Sequence, residues 1–328
     1  MEHLNKLAGN NRAKRFTDLW NPITSEEWLA QAWEEIRRNT GSQTPGIDKE
    51  TAEDIDLIRI RQLSKKLHAG VYRPTSVRRV DIPKSNGKLR PLGIPTIADR
   101  IVQPAVRMAL EPIFETDFLP CSHGFRQGHS PHTALRDVAR MYPRVSWVVE
   151  GDIVGCFDNI PHNGLLKAVG RRIADGKVMS LVSAFLQAGY MENRPFHTTY
   201  SGTPQGGIIS PFLCNIFLHQ LDEYMKSFGA NRVQTSQEQA RRRNPEYVGY
   251  KQKIRRVGDK LRQVSSGKAR TELLNELLKL KKERSHVPVF DARHHTKLGY
   301  VRYADDCVIL VNGTEEEARD MKNKVEDQ

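Results

Sequence analysis

The chain has 328 residues, of which 38% are apolar, enough for one large domain or two smaller ones with hydrophobic cores. No run approaches the roughly 18 apolar residues of a membrane span, and the N-terminus lacks the apolar stretch of a signal peptide, so the composition predicts a cytoplasmic protein without a membrane partner. The four cysteines lie far apart and form no CxxC pair, which argues against a disulfide framework or a zinc site.

The formal net charge of +12 is concentrated in one part of the chain, residues 226–297, which we term the basic segment. This segment contains 19 Lys and Arg against 7 Asp and Glu, whereas the remainder of the chain has 32 of each sign. Excess positive charge is typical of a surface that contacts nucleic acid. The distribution therefore predicts a localised contact surface rather than a uniformly basic enzyme.

After a polar, irregular N-terminal arm at residues 1–24, the predicted elements alternate between helices and strands. Apolar residues at helical spacing predict helices near residues 25–36, 52–67, 99–118, 129–141, 165–188 and 211–226. Alternating or apolar runs predict strands near residues 75–83, 89–95, 147–153, 298–303 and 307–311. Asn86-Gly87 lies between the first two strands and is a strong hairpin signal. This alternation predicts a mixed α/β (α+β) fold.

The basic segment has a helical pattern of its own. Apolar residues recur at alternating spacings of three and four, a heptad seam formed by Tyr247, Tyr250, Ile254, Val257, Leu261 and Val264. A leucine-rich helix follows the turn at Gly267, so the segment predicts an antiparallel helical hairpin with basic outer faces. The candidate RNA-binding residues are Arg241, Arg242, Arg243, Lys251, Lys253, Arg255 and Arg256. The alternative is a solvated hairpin without a dedicated partner.

Carboxylates follow two of the predicted strands. Asp305 and Asp306 lie in the turn between the last two strands, and Asp152 lies at the end of the strand near residues 147–153. Adjacent carboxylates repel each other unless they share a cation, and oxygen ligands suit Mg²⁺. Three converging carboxylates would support two-metal phosphoryl transfer. The alternatives are a solvated turn and a strand-end carboxylate that faces water, and Asp158 is predicted to cap the next helix.

Cations that suit a triphosphate lie on the predicted hairpin at residues 75–95. Lys84 and Arg90 flank its turn, with Arg78 behind them. Arginine contacts phosphate in a bidentate manner, whereas lysine is a point charge. In the glycine-rich stretch 201–207, the backbone can approach a ligand closely and Gln205 can hydrogen-bond it. A solvated strand edge and an ordinary glycine-rich turn are the alternatives.

Five stretches occur in the order typical of reverse transcriptases, and their sequences resemble those of the group II intron maturases. They are IPKSNGKLRPLGIPTIADRIVQ, HGFRQGHSPHTAL, VVEGDIVGCFDNIPH, SGTPQGGIISPFLCNIFLHQLD and VRYADDCVIL. The resemblance covers roughly residues 36–310 and is interrupted by the basic segment. It implies the fingers and palm of a right-hand polymerase. It also implies that Asp152, Asp305 and Asp306 are the catalytic ligands of two Mg²⁺ ions.

The same resemblance implies roles around an incoming dNTP. Lys84 and Arg90 would clamp its triphosphate with help from Arg78, and Gln205 would lie beside the nucleotide. Phe157 would resemble the gate that excludes a ribose 2′-hydroxyl. Arg126, in the HGFR run, resembles an arginine of the family fingers, but no role follows for it from the sequence.

The implied organisation is an arm at residues 1–24, fingers at 25–99 and 160–209, a palm at 100–159, 210–225 and 298–328, and an inserted hairpin at 226–297, with the chain ending before the thumb. The implied activity is RNA-directed DNA synthesis from a DNA or RNA primer 3′ end, together with binding of intron RNA as a splicing maturase. The alternatives are an RNA-binding maturase fragment that does not polymerise by itself and a retron-type reverse transcriptase. A homodimer is left open.

Three residues depart from the family pattern. Cys156 stands where the family usually has the first of two aromatic residues. Gly151 and Gly155 stand where bulkier residues are more typical, which predicts a looser site.

Overall fold

A computed structural model describes residues 2–83, 87, 89–141, 145–191, 196–197, 202, 207–230, 244–264, 266–287 and 297–327. The chain divides into two compact units. The first comprises Met1–Arg140, Glu150–Ser227 and Tyr300–Val308, and the second comprises Met141–Val149, Phe228–Gly299 and Ile309–Gln328. The predicted mixture of helices and strands is confirmed.

The helices found in the described residues are α1 (Glu2–Asn10), α2 (Trp20–Thr24), α3 (Glu26–Arg37), α4 (Leu57–His68), α5 (Ile97–Phe114), α6 (Pro131–Met141), α7 (Cys156–Asn159), α8 (His162–Gly170), α9 (Gly176–Gln187), α10 (Ser210–Ser227), α11 (Pro245–Gln263), α12 (Lys268–Ser285) and α13 (Glu315–Glu326). Short 3₁₀ turns lie at Thr40–Gln43 and Ala52–Asp54. The helix predicted from residue 52 begins only at Leu57, because the side chain of Asp56 caps it there, accepting a hydrogen bond from the backbone N–H of Arg59 at 2.8 Å. No helix among these is long and apolar enough to cross a membrane.

The strands are β1 (Val77–Pro83), β2 (Leu89–Ile94), β3 (Trp147–Asp152), β4 (Tyr190–Met191), β5 (Phe196–His197), β6 (Lys297–Tyr303) and β7 (Asp306–Asn312). They form a four-stranded sheet in the order β2-β1-β4-β5 and a three-stranded sheet in the order β3-β7-β6. The predicted hairpin is confirmed, since β1 and β2 pair antiparallel with Arg78 opposite Ile94 and Ile82 opposite Arg90. Because side chains alternate along a strand, this register places Arg78 and Arg90 on one face of the hairpin.

The prediction of an irregular N-terminal arm is wrong for most of residues 1–24. Helix α1 packs against α5, and the side chain of Asn5 donates a hydrogen bond to the carbonyl of Pro112 at 3.0 Å. Further along, the backbone N–H of Phe16 donates to the carbonyl of Arg172 at 2.8 Å, and the Phe16 ring is buried. Tertiary packing therefore orders a stretch that is mostly polar by composition.

Helix α5 is the central element of the core of the first unit. Most of its residues are buried, and α1, α2, α3 and α10 all contact it. At its start, the buried carboxylate of Asp99 accepts hydrogen bonds from the hydroxyls of Tyr72 and Thr96 and from the backbone N–H of Thr75. These bonds join the beginning of α5 to the residues that lead into β1.

Helices α11 and α12 of the second unit pack on each other, as predicted for the basic segment. Arg270 at the start of α12 donates to the carbonyl of Val264 just after α11, at 2.6 Å. Arg284 at the end of α12 lies over the ring of Tyr247 at the start of α11, 5.7 Å from its centroid. Contacts at both ends confirm an antiparallel hairpin.

Candidate active site

Three carboxylates lie together where two neighbouring strands meet a turn. Asp152 is the last residue of β3, Asp306 is the first of β7, and Asp305 precedes it in the turn between β6 and β7. Burial raises the pKa of Asp306 above its ordinary value, and the negative charges of Asp305 and Asp152 raise this pKa further. Strands β3 and β7 are hydrogen-bonded neighbours, and Gly151 packs against Cys307, so the fold brings the end of β3 close to the start of β7.

This set of side chains suits a hard divalent cation. All three offer carboxylate oxygens, and a shared positive charge would relieve their repulsion. In the part of the chain that the structure describes, no group of three or more His, Cys, Asp or Glu side chains is arranged so that it could hold a metal ion. The three aspartates therefore provide suitable donors by their chemistry, but their side chains are not arranged as a metal site in this structure.

Strand β3 approaches β7 closely because residue 151 is glycine. A Cβ on Gly151 would lie 2.8 Å from the Sγ of Cys307, a buried side chain next to Asp306. Gly155 has a φ of +59°, in the left-handed region that favours glycine. The expectation that these two glycines loosen the site is wrong, since close packing requires one and backbone conformation requires the other.

The turn that carries Asp305 and Asp306 has a strained backbone. Ala304 has a φ of +58°, which costs a residue other than glycine on the order of 1 kcal/mol. Gly124 packs directly against it, and a Cβ on Gly124 would lie 2.2 Å from the backbone nitrogen of Ala304. The turn is thus held against the residue 124 backbone, with no space for a side chain between them.

The buried side chain of Arg302 forms hydrogen bonds that stabilise this turn. Arg302 and Asp222 are both fully buried, and the guanidinium donates to the two oxygens of the Asp222 carboxylate at 2.8 and 2.7 Å. It also donates to the carbonyl of Ala304 at 2.8 Å, to Oδ1 of Asn215 at 3.0 Å and to the hydroxyl of Ser122 at 2.8 Å. All five guanidinium N–H groups therefore have acceptors. Burial lowers the pKa of Arg302, but the Asp222 carboxylate outweighs it and keeps this pKa above its ordinary value.

This network was missed by the sequence reasoning, although a signal for it exists. Arg302 lies within the apolar run of β6, and Asp222 lies on the buried face of α10, at helical spacing from Leu218 and Met225. Charged residues are almost never fully buried unless they are paired. Two opposite charges inside apolar elements therefore predict a partner for each, but the sequence does not say that they pair with each other.

The structure gives Arg126 a structural role. Its Nε donates to both carboxylate oxygens of Glu115 at 2.9 Å, and another N–H group donates to the carbonyl of Ser122 at 2.7 Å. The neighbouring Cys121 carbonyl accepts a hydrogen bond from the backbone N–H of Arg302 at 2.8 Å. Arg126 thus stabilises the segment that pairs with the strand leading to the aspartates.

Two of the three cations predicted to bind a triphosphate, Arg78 and Arg90, lie in the part of the chain that the structure describes. Arg78 donates two hydrogen bonds to the carbonyl of Pro45, at 3.1 and 2.8 Å. Arg90 lies on the same face of the hairpin and is exposed. Lys84 lies outside the described residues. Arg78 and Arg90 therefore share a face, with Arg78 bound to a backbone carbonyl and Arg90 open to solvent.

The glycine-rich stretch begins beside Phe157. Gly202, with a φ of +86°, packs so closely that a Cβ there would lie 2.5 Å from the Phe157 carbonyl oxygen. At the other end of the stretch, the side chain of Gln103 accepts a hydrogen bond from the backbone N–H of Ile208 at 2.7 Å. Gln205 itself lies outside the described residues. Gly202 thus lies next to the predicted gate residue, and Ile208 is fixed to Gln103.

Helix α7 carries both Cys156 and Asp158. Cys156 is buried, with its Sγ 3.5 Å from the Sγ of Cys214 on α10. The prediction that Asp158 caps the next helix is wrong. Asp158 lies within α7, and the N-cap residue of α8 is Pro161, which makes no side-chain capping bond.

The candidate RNA-binding residues that the structure describes lie on α11. Lys251, Lys253, Arg255 and Arg256 are all exposed. Together, α11 and α12 carry twelve Lys and Arg against five Asp and Glu. Arg241, Arg242 and Arg243 lie outside the described residues. The hairpin therefore presents a strongly positive outer surface.

Comparison with known proteins identifies relatives over nearly the whole chain. Residues 82–236 match the family described as reverse transcriptase (RNA-dependent DNA polymerase). The chain is 38% identical over 328 residues to the group II intron-encoded protein LtrA of Lactococcus lactis subsp. cremoris, covering 99% of this chain and 54% of LtrA. It is 36% identical over 315 residues to protein YkfC of Escherichia coli (strain K12), covering 94% of this chain and 74% of YkfC. The chain thus spans about half the length of LtrA.

Among solved structures, the apo telomerase from Candida tropicalis truncated from its C-terminal domain aligns with a TM-score of 0.44 at 11% identity. The alignment covers 82% of this chain and 52% of that one. This likeness is too distant to carry an argument about function.

We expect Gly151→Ala to destabilise the chain by about 1–3 kcal/mol, the usual cost of overpacking a core, because the new Cβ would meet the Cys307 sulfur at 2.8 Å. Urea denaturation measures the change. Cys307→Ala removes the obstructing sulfur, so the double variant should lose less stability than the sum of the two single variants. Strictly additive effects would show that this contact does not limit the approach of β3 to β7.

Proposed function

This chain belongs to the reverse transcriptase family encoded by group II introns, and from that premise we propose that it is an RNA-directed DNA polymerase. It would extend the 3′ end of a DNA or RNA primer with dNTPs on an RNA template. The observation that carries the proposal is the placement of Asp152 at the end of β3 and of Asp305 and Asp306 at the turn into the neighbouring strand β7. Burial raises the pKa of Asp306, and the charges of Asp305 and Asp152 raise it further. Carboxylates kept in mutual repulsion are suited to bind cations rather than to stabilise the fold.

Asp152, Asp305 and Asp306 would hold two Mg²⁺ ions. When bound, such a pair of ions activates the attacking hydroxyl and stabilises the leaving oxygen of an in-line displacement. The protein supplies the placement: β3 ends at Asp152, and the clamped turn presents the other two aspartates beside it. The rigidity of these supports favours reaction by holding the reacting groups in one arrangement.

We propose that Arg78, Lys84 and Arg90 bind the dNTP triphosphate, that Gln205 contacts the nucleotide and that Phe157 excludes a ribose 2′-hydroxyl. Arg78 and Arg90 share a hairpin face, as such a clamp requires. In this proposal Arg78 would exchange its bonds to the Pro45 carbonyl for phosphate. Arginine is suited to that exchange, because its fork binds phosphate in a bidentate manner.

A second function, binding of intron RNA as a maturase, is supported by the charge of the basic segment. Cations that lie together on one hairpin would bind chiefly RNA phosphates and would make few sequence-specific contacts with the bases. The exposed residues Lys251, Lys253, Arg255 and Arg256 would contribute, together with Arg241, Arg242 and Arg243. The chain would then act as an RNA-binding protein even where it does not polymerise by itself.

We propose the cytoplasm as the location of this activity. All four cysteines are free and buried, which suits a reducing compartment.

Primer extension on an RNA template with Mg²⁺ and dNTPs tests the polymerase proposal. We expect Asp306→Asn to reduce the rate at least about a hundredfold, the scale on which losing one preorganised electrostatic group acts. Glu150→Gln is the matched control, since it removes one negative charge from β3 two residues before Asp152. Extension that survives in Asp306→Asn would contradict the proposal, and a wild-type chain that binds RNA without extending primers would favour the second function.

Thermal unfolding gives a test that does not depend on activity. Without divalent cations, we expect Asp306→Asn to melt at a higher temperature than the wild type, because it removes a repelled charge. The difference should shrink as the pH falls through the raised pKa of Asp306, since the protonated carboxyl is neutral. Mg²⁺ should raise the melting temperature of the wild type more than that of the variant. An equal response to Mg²⁺ would argue against this aspartate as a ligand.

RNA binding by the basic segment predicts a steep salt dependence. Each lost phosphate contact should lower the slope of log affinity against log salt by about 0.7–0.9. We expect Lys251→Ala/Lys253→Ala to reduce the slope, whereas Lys65→Ala/Lys66→Ala, two exposed lysines of α4, should not. Deletion of residues 234–287 should flatten it further. A slope that the deletion leaves unchanged would exclude the hairpin as the RNA contact.

A further inference from the structure

Arg302 lies behind the candidate active site and reaches it through the backbone of Ala304. Its guanidinium donates to the Ala304 carbonyl at 2.8 Å, one residue before Asp305. We propose that Arg302 is a positioning residue, which fixes this carbonyl and so directs Asp305 and Asp306 toward Asp152. The inference rests on the proposed polymerase function. It assigns Arg302 no contact with substrate.

The geometry favours positioning, because the turn is held at two points by one connected network. Arg302 holds the carbonyl of Ala304, and the backbone of Gly124 closes on its nitrogen. Asn215 joins the two sides, since its Oδ1 accepts from Arg302 at 3.0 Å and its Nδ2 donates to the Gly124 carbonyl at 2.6 Å. Ala304 keeps its left-handed φ of +58° between these two supports.

The shape of the guanidinium is essential to this arrangement. Asp222 binds two N–H groups and thereby sets the plane of the fork, which leaves the other N–H groups pointing at Ala304, Asn215 and Ser122. A lysine would keep the positive charge beside Asp222, but its single ammonium cannot reach all of these acceptors. Arg302→Lys therefore separates the positioning of the turn from the presence of charge.

A purely structural ion pair is the alternative, and the chain contains a matched control for it. Arg172 is also buried and donates to Asp117 at 2.7 Å and to the carbonyls of Arg12 and Ala8 at 2.8 and 3.1 Å. None of these acceptors belongs to the turn at residues 303–306. Arg172→Lys thus weakens a comparable buried pair in the same unit without touching the turn.

Hydrogen exchange of the backbone amides at residues 303–307 tests the inference directly. We expect these amides to exchange at least about fivefold faster in Arg302→Lys than in Arg172→Lys. The two variants are compared under conditions in which the same fraction of each is folded. Mg²⁺ should slow this exchange in the wild type and in Arg172→Lys, and less in Arg302→Lys. Equal exchange rates in the two variants would overturn the inference, whatever the activity.

Primer extension then shows whether the positioning matters for the reaction. We expect Arg302→Lys to lower kcat about ten- to a hundredfold, the scale of a small misplacement of reacting groups, while KM for dNTP changes less than about twofold. Arg172→Lys should leave kcat within about threefold of the wild type. Adding Ala304→Gly to Arg302→Lys should recover part of kcat, because glycine adopts the positive φ without strain. Equal losses of kcat in the two lysine variants would also overturn the inference.

Ser122→Ala provides a milder variant should Arg302→Lys not fold. It removes one acceptor of the guanidinium, and we expect faster exchange at residues 303–307 with a smaller fall in kcat. Unchanged exchange and kcat in Ser122→Ala would then count against the inference. If the wild type extends no primer, the proposed function is contradicted but the inference about Arg302 is not, because the exchange experiment does not require polymerisation.

Discussion

The buried pair of Arg302 and Asp222 is the interaction on which the candidate active site depends. Transferring two charges out of water costs several kcal/mol per ion unless good geometry and further hydrogen bonds offset that loss. Arg302 meets this condition only when α10, the segment at residues 121–124 and the turn at residues 303–306 are all in place. A single guanidinium therefore binds three distant stretches of the chain, and the candidate catalytic aspartates lie in one of them.

Close backbone contact is the second constraint, and glycine makes it possible at three positions. Gly124 allows the segment before α6 to touch the turn, and Gly151 allows β3 to approach β7. Gly202 allows its own backbone to lie against the carbonyls of α7. In each case a single Cβ would meet another atom at 2.8 Å or less. The backbones around the candidate active site can therefore pack closely because these glycines have no side chain. The mutual repulsion of the three aspartates opposes this arrangement. That opposition is consistent with the proposal that these aspartates bind cations rather than stabilise the fold.

Much of the fold and of the candidate site was accessible from sequence, and the failures have physical causes. Long periodic helices such as α3 and α10, and the hairpin around Gly87, follow local rules of spacing and turn chemistry. The N-terminal arm was misjudged because its few apolar residues become decisive only when they are buried against α5. The predicted cap at Asp158 was wrong because Asp158 lies within α7 and Pro161 is the N-cap residue of α8. Gly151 was expected to loosen the site because its neighbour in space, Cys307, is distant in the sequence. Gly155 was misjudged because the sequence does not reveal its left-handed backbone conformation.

The sequence by itself determined the residue types available for chemistry, the order of the motifs and the concentration of positive charge in the basic segment. These properties are local or additive, so no knowledge of contacts is needed to read them. Only the tertiary structure decided that Asp152 lies beside Asp306, that Arg126 clamps Glu115 and that Arg302 supports the turn through Ala304. Each of these pairings depends on which strands are neighbours and on how closely their backbones approach. A charged residue inside an apolar run predicts that it has a partner, but only the tertiary structure shows which residue that partner is.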